Sequence, residues 1–414
     1  MDTKTLRCGL LGRKLGHSYS PAIHERLADY SYRLFEVEPE DLGAFLQEGA
    51  FDGLNVTIPY KKDVIPYCAE LSDTARAIDA VNTLVRRADG TLWGDNTDAY
   101  GFSMLVQSSG ADVAGKKALV FGSGGASATA QYVLRRLGAR EVVVISRHGE
   151  DNYENLDRHA DAQIAVNTTP VGMYPNTGVS PVDLHRLPRL EAALDVVYNP
   201  ARTEFLLQAE ARGLRRANGL LMLAAQAKKS CEDFTGEPVD DAKIFSITKA
   251  LEAQMHNVIL IGMPGSGKTT IGTLVAKRLG RTFVDADSAL EREAGMPIPE
   301  IFRREGEAGF RRRETAVLAE LGRQSGLVLA TGGGSVTREE NYPLLHQNGE
   351  IFCLQRALER LPSAGRPVSQ ALGAQTIYAQ RKPLYARFAD AMIDNNGTPE
   401  AAAAQILEVL GCSC

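Results

Sequence analysis

Two glycine-rich loops constrain the fold of this chain more than any other feature of its sequence. The stretch NVILIGMPGSGKTTIG (residues 257–272) reads as a buried strand, a glycine loop and a helix start, and KKALVFGSGGASATA (residues 116–130) has the same layout. A glycine loop between a strand and a helix is typical of α/β units with a parallel sheet. The sequence therefore predicts two separate nucleotide-binding α/β units.

The later loop fits the pattern G-x-x-x-x-G-K-[ST] from Gly262 to Thr269. Its glycines allow successive backbone N–H groups to face phosphate oxygens, and Lys268 adds positive charge beside the helix N-terminus. Thr269 offers a hydroxyl to Mg²⁺. A glycine turn that only caps a helix does not call for Lys-Thr at this place, so we predict a nucleoside triphosphate site. Its predicted contacts are Gly265, Ser266, Gly267, Lys268, Thr269 and Thr270.

The earlier loop, GSGGAS at residues 122–127, has no lysine, so its bare backbone and helix N-terminus suit the pyrophosphate of a dinucleotide. The next predicted strand, EVVVIS, ends about 20 residues later, where an NAD site would place Asp or Glu. Arg147 in that region favours a 2′-phosphate and hence NADP, with a solvated surface residue as the alternative. The predicted NADP contacts are Gly122, Ser123, Gly124, Gly125, Ala126, Ser146 and Arg147.

Composition limits the class of protein. A chain of 414 residues exceeds one core of roughly 150 residues and predicts two or three packing units. A net charge of -5 argues against a nucleic-acid binder. No window approaches the roughly 18 apolar residues that span a bilayer, and of the six cysteines only Cys412 and Cys414 are close in sequence. We therefore expect a cytoplasmic protein without a membrane partner, a disulfide framework or a zinc site, and we predict no oligomeric state.

Alternating strand and helix patterns predict three α/β regions. Residues 1–100 form the first, with a helix that Ser20 would open as N-cap, and residues 101–219 form the second. Residues 220–250 are helical and return to the first region, and Ile244, Ile247 and Leu251 follow helical spacing. A linker is expected at residues 251–256, before a third region at residues 257–414.

The motifs outside the loops carry a family resemblance. The segments GRKLGHSYSPAIH, GLNVTIPYK, AIDAVNTL, GDNTDAYGF, VNTTPVGMYPN, DVVYNPARTEFL and GLLMLAAQA occur in order across residues 1–250. Together they resemble shikimate dehydrogenase, which implies an α/β substrate domain and a Rossmann-like NADP domain. The resemblance implies that Lys61 and Asp98 are the catalytic pair, and that Val197 and Gly219 also contact the cofactor. It also implies substrate contacts at Ser18, Ser20, Thr57, Lys61, Asn82, Asp98, Tyr198 and Gln226.

The C-terminal region, from residue 257 nearly to the end, resembles shikimate kinase through FVDAD, IFRREGEAGFRRRE, ATGGGSV, GRP and RKPLY. That resemblance implies a P-loop domain of the nucleoside-monophosphate-kinase kind with a parallel sheet, which uses ATP and Mg²⁺. Asp285 would reach the metal with Thr269, and Asp287 would be the base and hold the accepting hydroxyls. The remaining implied substrate contacts are Arg311, Gly333 and Arg381, and Arg366 in GRP would stabilise the transferred phosphoryl group beside Lys268.

Two segments depart from the family patterns. LQRALERLPSAGRPVSQALGAQ is shorter than the usual kinase lid region, and the dinucleotide loop lacks the arginine that commonly follows it. The resemblances predict a bifunctional enzyme of aromatic amino acid biosynthesis, with 3-dehydroshikimate and shikimate as substrates. A single-activity enzyme with one decayed half and a non-catalytic shikimate-binding sensor are the alternatives.

Overall fold

The computed structural model describes residues 6–16, 18–49, 51–361 and 373–411. The chain divides into two compact units. The first is built from the chain up to Met173 together with Val179–Tyr198 and Phe205–Ala250. The second is built from Tyr174–Gly178, Asn199–Glu204 and the chain from Leu251 onward. None of the described helices is both long and apolar enough to cross a membrane.

The first unit opens with a mixed sheet whose described strands follow the order β2-β1-β3-β5-β6-β4. Strands β1, β2 and β3 are parallel, whereas β5 runs antiparallel to both β3 and β6. Leu11, Leu54 and Tyr60 are fully buried in its core. The strands are β1 (Arg7–Gly12), β2 (Ser31–Glu36), β3 (Gly53–Val56), β4 (Cys68–Leu71), β5 (Thr83–Arg86) and β6 (Leu92–Asp95), and the helices are α1 (Ser20–Leu27), α2 (Leu42–Glu48) and α3 (Asp73–Ile78).

One detail of the first unit differs from the sequence prediction. Helix α1 begins at Ser20, and Tyr19 occupies the N-cap position that was predicted for Ser20. No side chain among the described residues caps this helix, and Ser20 already has helical backbone geometry, with its N–H donating to the Ser18 hydroxyl oxygen at 3.2 Å. Ser18 and Ser20 are thereby held on one short turn.

The second sheet of the first unit is parallel, in the order β11-β10-β9-β7-β8. Strands β7 to β10 are short runs rich in Val, Ile and Ala, with the sequences KALVF, EVVVI, IAVN and AALD. Helix α7 packs against α4 and α1. The strands are β7 (Lys117–Phe121), β8 (Glu141–Ile145), β9 (Ile164–Asn167), β10 (Ala192–Asp195) and β11 (Arg215–Ala217), and the helices are α4 (Asp98–Ser109), α5 (Gly125–Arg136), α6 (Glu204–Ala211) and α7 (Leu220–Thr235).

Helix α8 spans Ala242–Met255. The apolar positions Ile244, Ile247 and Leu251 are buried as their spacing predicts, and Met255 extends the same stripe at 3% exposure. Residues 251–255, which were expected to be linker, therefore continue the helix.

The second unit is a parallel sheet with helices on both faces, in the strand order β13-β14-β12-β15-β16. Along β12, Ile259 and Ile261 enter one buried cluster while Val258 and Leu260 enter another, so the strand is apolar on both sides. The strands are β12 (Asn257–Ile261), β13 (Phe283–Asp285), β14 (Val328–Ala330), β15 (Gly349–Gln355) and β16 (Ala391–Asp394). The helices are α9 (Lys268–Leu279), α10 (Ala286–Ala294), α11 (Ile298–Gly322), α12 (Asn341–His346), α13 (Ala374–Phe388) and α14 (Pro399–Val409).

Candidate active sites

A cavity of about 260 Å³ in the first unit gathers every substrate-contact residue predicted for that unit. These residues come from the turn before α1, the loop after β3, the loop before β5, the start of α4, the segment after β10 and helix α7. They are Ser18, Ser20, Thr57, Lys61, Asn82, Asp98, Tyr198 and Gln226, and the structure adds Leu10, Asn55, Val56, Val196, Met222 and Leu223.

Lys61 and Asp98 form an ion pair inside this cavity. The Lys61 Nζ lies 2.5 Å from the Asp98 Oδ2, and the two side chains are 25% and 14% exposed. Asp98 is the first residue of α4, so its carboxylate sits at the positive end of a helix dipole. The pair is held on two separate elements and provides one ammonium that can donate a proton or a hydrogen bond.

A buried hydrogen-bond network fixes the amide side chains of the cavity. The Asn82 Oδ1 accepts the backbone N–H of Thr97 at 2.7 Å, which defines the direction of its carboxamide. Asn55, which sequence analysis missed, accepts from the Tyr32 hydroxyl at 2.7 Å and donates to the Ser230 Oγ at 2.7 Å. Its motif, NVTIP, was recognised, but only the register of β3 reveals that the asparagine faces the cavity.

Tyr198, after β10, and Gln226, in α7, also line the cavity. The Tyr198 ring packs edge-on against Tyr19 with centroids 6.2 Å apart, and burial together with Tyr19 raises the pKa of the Tyr198 hydroxyl. A neutral phenol can therefore donate a hydrogen bond at neutral pH. The Gln226 Nε2 donates to the Leu223 carbonyl within α7 at 2.9 Å.

The predicted dinucleotide loop lies at the carboxyl edge of the parallel sheet. The Gly122 N–H donates to the Ile145 carbonyl at 2.9 Å, so the loop after β7 and the residues after β8 are neighbours. Ser123 and Gly124 connect β7 to α5, which begins at Gly125 and continues through Ala126. Ser146 and Arg147 follow β8 directly at this edge.

Val197 and Gly219, the two further predicted cofactor contacts, lie next to the substrate cavity of the first unit. The Gly219 N–H donates to the Val197 carbonyl at 3.1 Å. A Cβ added at Gly219 would lie 2.0 Å from the Val196 carbonyl oxygen, so only glycine allows the two backbone segments to approach this closely. This contact sets the position of Tyr198, the next residue along the chain.

A second cavity, of about 630 Å³, lies in the second unit at the carboxyl ends of its strands. Predicted residues that line it are Gly265, Gly267, Lys268, Thr269, Thr270, Asp285, Asp287, Arg311, Gly333 and Arg381. Ser266 belongs to the same loop, with its side chain buried. Arg366 lies outside the described residues.

The phosphate loop and the predicted metal ligands are adjacent. The Lys268 Nζ donates to the carbonyls of Gly262 and Met263 at 2.9 and 3.1 Å, so the side chain folds back over the loop. The Thr269 hydroxyl donates to the Asp285 Oδ2 at 3.0 Å, while the Asp285 Oδ1 accepts the Asp287 N–H at 3.0 Å. The hydroxyl and carboxylate oxygens are thus oriented together.

Asp287 lies on the first turn of α10 and lines the same cavity. Burial, followed by the negative charges of Asp285 and Glu314, raises the pKa of the Asp287 carboxyl to about 6. A carboxylate with this pKa is ionised at neutral pH and is more basic than an ordinary aspartate, as a general base requires.

Two buried arginines flank the glycine run at residues 332–334. The Arg311 Nη1 donates to the Glu314 Oε2 at 2.6 Å, and burial raises the pKa of that glutamate. The Arg381 Nη1 and the Tyr385 hydroxyl both donate to the Gly333 carbonyl, at 2.9 and 2.6 Å. Each guanidinium has further N–H donors besides the one used in these hydrogen bonds, and such donors can bind a substrate carboxylate.

Glu314 and Arg356 also line this cavity, although neither was predicted from the sequence. Glu314 ends the segment FRRRE, whose run of three arginines reads equally well as an exposed basic helix. Arg356 directly follows strand β15, which lies next to β12, the strand before the phosphate loop. An arginine directly after such a buried strand is the sequence signal that could have indicated its place in the cavity.

The first unit is similar to known proteins of one family. A family model described as Shikimate dehydrogenase substrate binding domain matches residues 10–84. The protein named Shikimate dehydrogenase (NADP(+)) from Clostridium perfringens strain SM101 is 36% identical over 267 residues, which are 59% of this chain and 98% of the relative. The chain belongs to the shikimate dehydrogenase family.

Solved structures agree with membership of the shikimate dehydrogenase family. A chorismate mutase/shikimate 5-dehydrogenase fusion protein from Clostridium acetobutylicum has a TM-score of 0.56 at 35% identity, and 59% of this chain covers 96% of that chain. Shikimate 5-dehydrogenase from Thermus thermophilus, solved with NADP(H) and shikimate, has a TM-score of 0.55 at 33% identity over 59% of this chain and 99% of its own.

The second unit matches another family. A family model described as Shikimate kinase covers residues 264–411. This member of the shikimate dehydrogenase family is therefore an enzyme that also carries a shikimate kinase domain, with a parallel sheet in each nucleotide-binding part.

Residues of both units fit the cofactors that these families imply, NADP(H) for the first and ATP with Mg²⁺ for the second. A Cβ placed on Gly124 or Gly125 would meet open space, so a pyrophosphate can approach the start of α5. In the second unit, Thr269 and Asp285 present the hard oxygen ligands that Mg²⁺ prefers.

Proposed function

We propose that this chain catalyses two consecutive reactions of chorismate biosynthesis. NADPH-dependent reduction would convert 3-dehydroshikimate to shikimate, and ATP- and Mg²⁺-dependent phosphorylation would then convert the shikimate 3-hydroxyl to the 3-phosphate. We assign the first reaction to residues 1–250 and the second to residues 257–414. The supporting observation is that the charged pairs needed for each reaction share a cavity, Lys61 with Asp98 and Lys268 with Asp287.

In the first reaction the cofactor would supply a hydride to the ketone carbon of 3-dehydroshikimate. The negative charge that develops on the ketone oxygen requires a proton and a positive field, and the Lys61 ammonium provides both. Asp98 orients that ammonium through their 2.5 Å contact and accepts a hydrogen bond from the hydroxyl that forms. The neutral donors Ser18, Ser20 and Thr57 would hold the substrate carboxylate.

In the second reaction ATP would supply the phosphoryl group, and Asp287 would accept the proton of the attacking 3-hydroxyl. Its raised pKa suits this role because a stronger base takes the proton more readily while staying ionised near pH 7. Lys268 would stabilise negative charge on the transferred group. Arg311 and Arg381 would hold the shikimate carboxylate beside the Gly333 backbone.

The two cavities recognise one small anion with different chemistry. The first offers hydroxyls, amides and one ammonium, and the second offers guanidinium groups from α11 and α13. This difference supports two independent binding events on the same acid. We propose that shikimate passes between them by free diffusion, since a tether raises the local concentration of one site near the other without requiring a tunnel.

One experiment tests the whole proposal. The purified chain is mixed with 3-dehydroshikimate, NADPH, ATP and Mg²⁺, and NADPH absorbance, shikimate and shikimate 3-phosphate are followed over time. We expect NADPH loss, a transient of shikimate and a lag before the phosphate product. Only one of the two conversions would indicate a decayed half, and neither would indicate a binding protein. Phosphate product without a lag in the presence of excess inactive kinase that traps shikimate would contradict diffusion.

A further inference from the structure

Arg356 is a cation at the edge of the phosphate loop, and it has no role in the two reactions proposed above. It follows β15, which lies beside β12 in the parallel sheet with Cys353 in register with Ile261. The phosphate loop begins at the residue after Ile261, so Arg356 leaves the sheet at the edge from which that loop emerges. Its side chain lines the cavity of the second unit.

The distances locate its guanidinium beside Gly267, the residue before α9. A Cβ added at Gly267 would lie 2.9 Å from the Asn395 Nδ2 and 4.0 Å from the Arg356 Nη1. Asn395 already has a partner, because its Nδ2 donates to the Ser266 carbonyl and so anchors the loop. Arg356 approaches the same glycine without bonding to it.

The Arg356 guanidinium has no partner of its own within the described part of the chain. Its Nε is buried without a hydrogen-bond acceptor, and no carboxylate there pairs with it. A partly buried cation without a counter-charge is costly unless a ligand compensates it. The neighbouring loop amides and Lys268 already make this edge electropositive, so an anion is the ligand that satisfies all of them together.

We infer that Arg356 binds the diphosphate portion of the nucleotide, the part that ADP shares with ATP. In phosphate loops of this pattern the backbone amides hold the α- and β-phosphates, whereas the lysine reaches the β- and γ-phosphates. Arg356 borders a loop glycine, so it meets the phosphates that the amides hold. A planar guanidinium can bind phosphate oxygens in two parallel bonds. The inference rests on the proposed nucleotide site of the second unit.

The test is ADP binding to the full chain with Mg²⁺, measured by calorimetry. Arg356→Met is expected to weaken ADP about tenfold or more, the size of a lost charge-assisted hydrogen bond, and Arg356→Lys to weaken it less because the charge remains. The control is Arg278→Met, which removes the same charge from an exposed position at the far end of α9 and should leave affinity within about twofold.

Inorganic pyrophosphate separates a phosphate contact from an adenine contact. Arg356→Met should weaken the competition of pyrophosphate with ADP by a similar factor. Unchanged competition would overturn the inference, because Arg356 would then contact the adenine base and not the phosphates. ADP affinity within twofold of the unsubstituted chain would also overturn it. If the unsubstituted chain itself fails to bind ADP, the proposed kinase function fails with it. Equal melting temperatures without nucleotide establish that Arg356→Met is folded, and Arg356→Lys supplies the comparison if it is not.

Discussion

The Lys61 Nζ donates a 2.5 Å hydrogen bond to the Asp98 Oδ2, although 37 residues separate them in the chain. The loop after β3 and the first turn of α4 bring them together in a cavity otherwise lined by neutral side chains. An ammonium that its carboxylate partner already holds in place is preorganised to stabilise negative charge that develops beside it.

Replacing this ammonium tests the role of the pair. Lys61→Ala should lower the rate of NADPH oxidation by about 10²- to 10⁴-fold, the usual contribution of a positioned acid, and leave ADP release from supplied shikimate unchanged. The matched control is Lys62→Ala, whose exposed ammonium pairs with Asp79 and should be dispensable. Loss of both activities in folded Lys61→Ala protein would refute independent sites.

The reciprocal change is Lys268→Ala. Removing the positive charge over the phosphate loop should reduce ADP release from shikimate by about 10²-fold or more and spare reduction of 3-dehydroshikimate. Lys277→Ala, at an exposed position later in the same helix, is the control. Coupled spectrophotometric assays of each half-reaction measure both effects, and a Lys268→Ala protein with normal kinase turnover would exclude this loop from the reaction.

The raised pKa of Asp287 predicts a pH dependence. Since the pKa of this carboxyl is about 6, the proposed base becomes protonated as the pH falls through 6, well above the 3.8 of an ordinary aspartate. Kinase kcat/KM should therefore decline below about pH 6. Asp287→Asn should remove most of the activity together with this acidic limb. Dehydrogenase activity of the same molecule is the internal control, and a kinase profile flat down to pH 5 would contradict the assignment.

The same pKa predicts a stability effect with a definite sign. A carboxyl whose pKa rises from 3.8 to about 6 on folding binds its proton more tightly when folded, so its ionised form destabilises the fold above pH 6 and has no effect below pH 3.8. Asp287→Asn should then raise the free energy of unfolding near pH 7.5 by up to about 3 kcal/mol. The gain should vanish near pH 4. The measurement is the melting temperature of the unfolding transition that ADP shifts. A lower melting temperature for Asp287→Asn than for the unsubstituted chain at pH 7.5 would contradict the prediction.

Arg147 is predicted to set the preference for NADP over NAD. Arg147→Gln should reduce kcat/KM for NADPH about tenfold and leave the value for NADH nearly unchanged, because only the 2′-phosphate loses its partner. Arg140→Gln alters an exposed arginine just before the other end of β8 and is the control. Equal losses with both cofactors would mean that Arg147 supports the loop instead of reading the phosphate.

The fold was predictable where local pattern and packing agree. The apolar runs of β7 and β12 are buried on both faces, as continuous strands of a parallel sheet should be. Strands β4 (CAEL) and β6 (LWGD) are hard to predict, because four residues without clear alternation carry little signal. Their parallel pairing depends on contacts between segments distant in the chain.

The candidate sites show the same division. The family resemblance predicted that Lys61 and Asp98 act as a pair, and the structure places their side chains in contact. Asn55 and Arg356 escaped because their importance depends on which way a side chain points at a strand or strand end, and a period-2 pattern without register does not fix that. The helical spacing of Ile244, Ile247 and Leu251 likewise predicted α8, whereas its continuation to a buried Met255 is seen only in the structure.

The shared hydrogen bonds to the Gly333 carbonyl limit how this enzyme could be redesigned. Arg381 and Tyr385 together hold that peptide group, so the arginine proposed to recognise an acidic substrate also braces the turn on which the substrate rests. Replacing Arg381 with a neutral side chain, in order to admit uncharged polyols, would also remove its hydrogen bond to the Gly333 carbonyl and leave that turn less rigid. A change of substrate scope would require a replacement donor to the glycine before the new specificity could evolve.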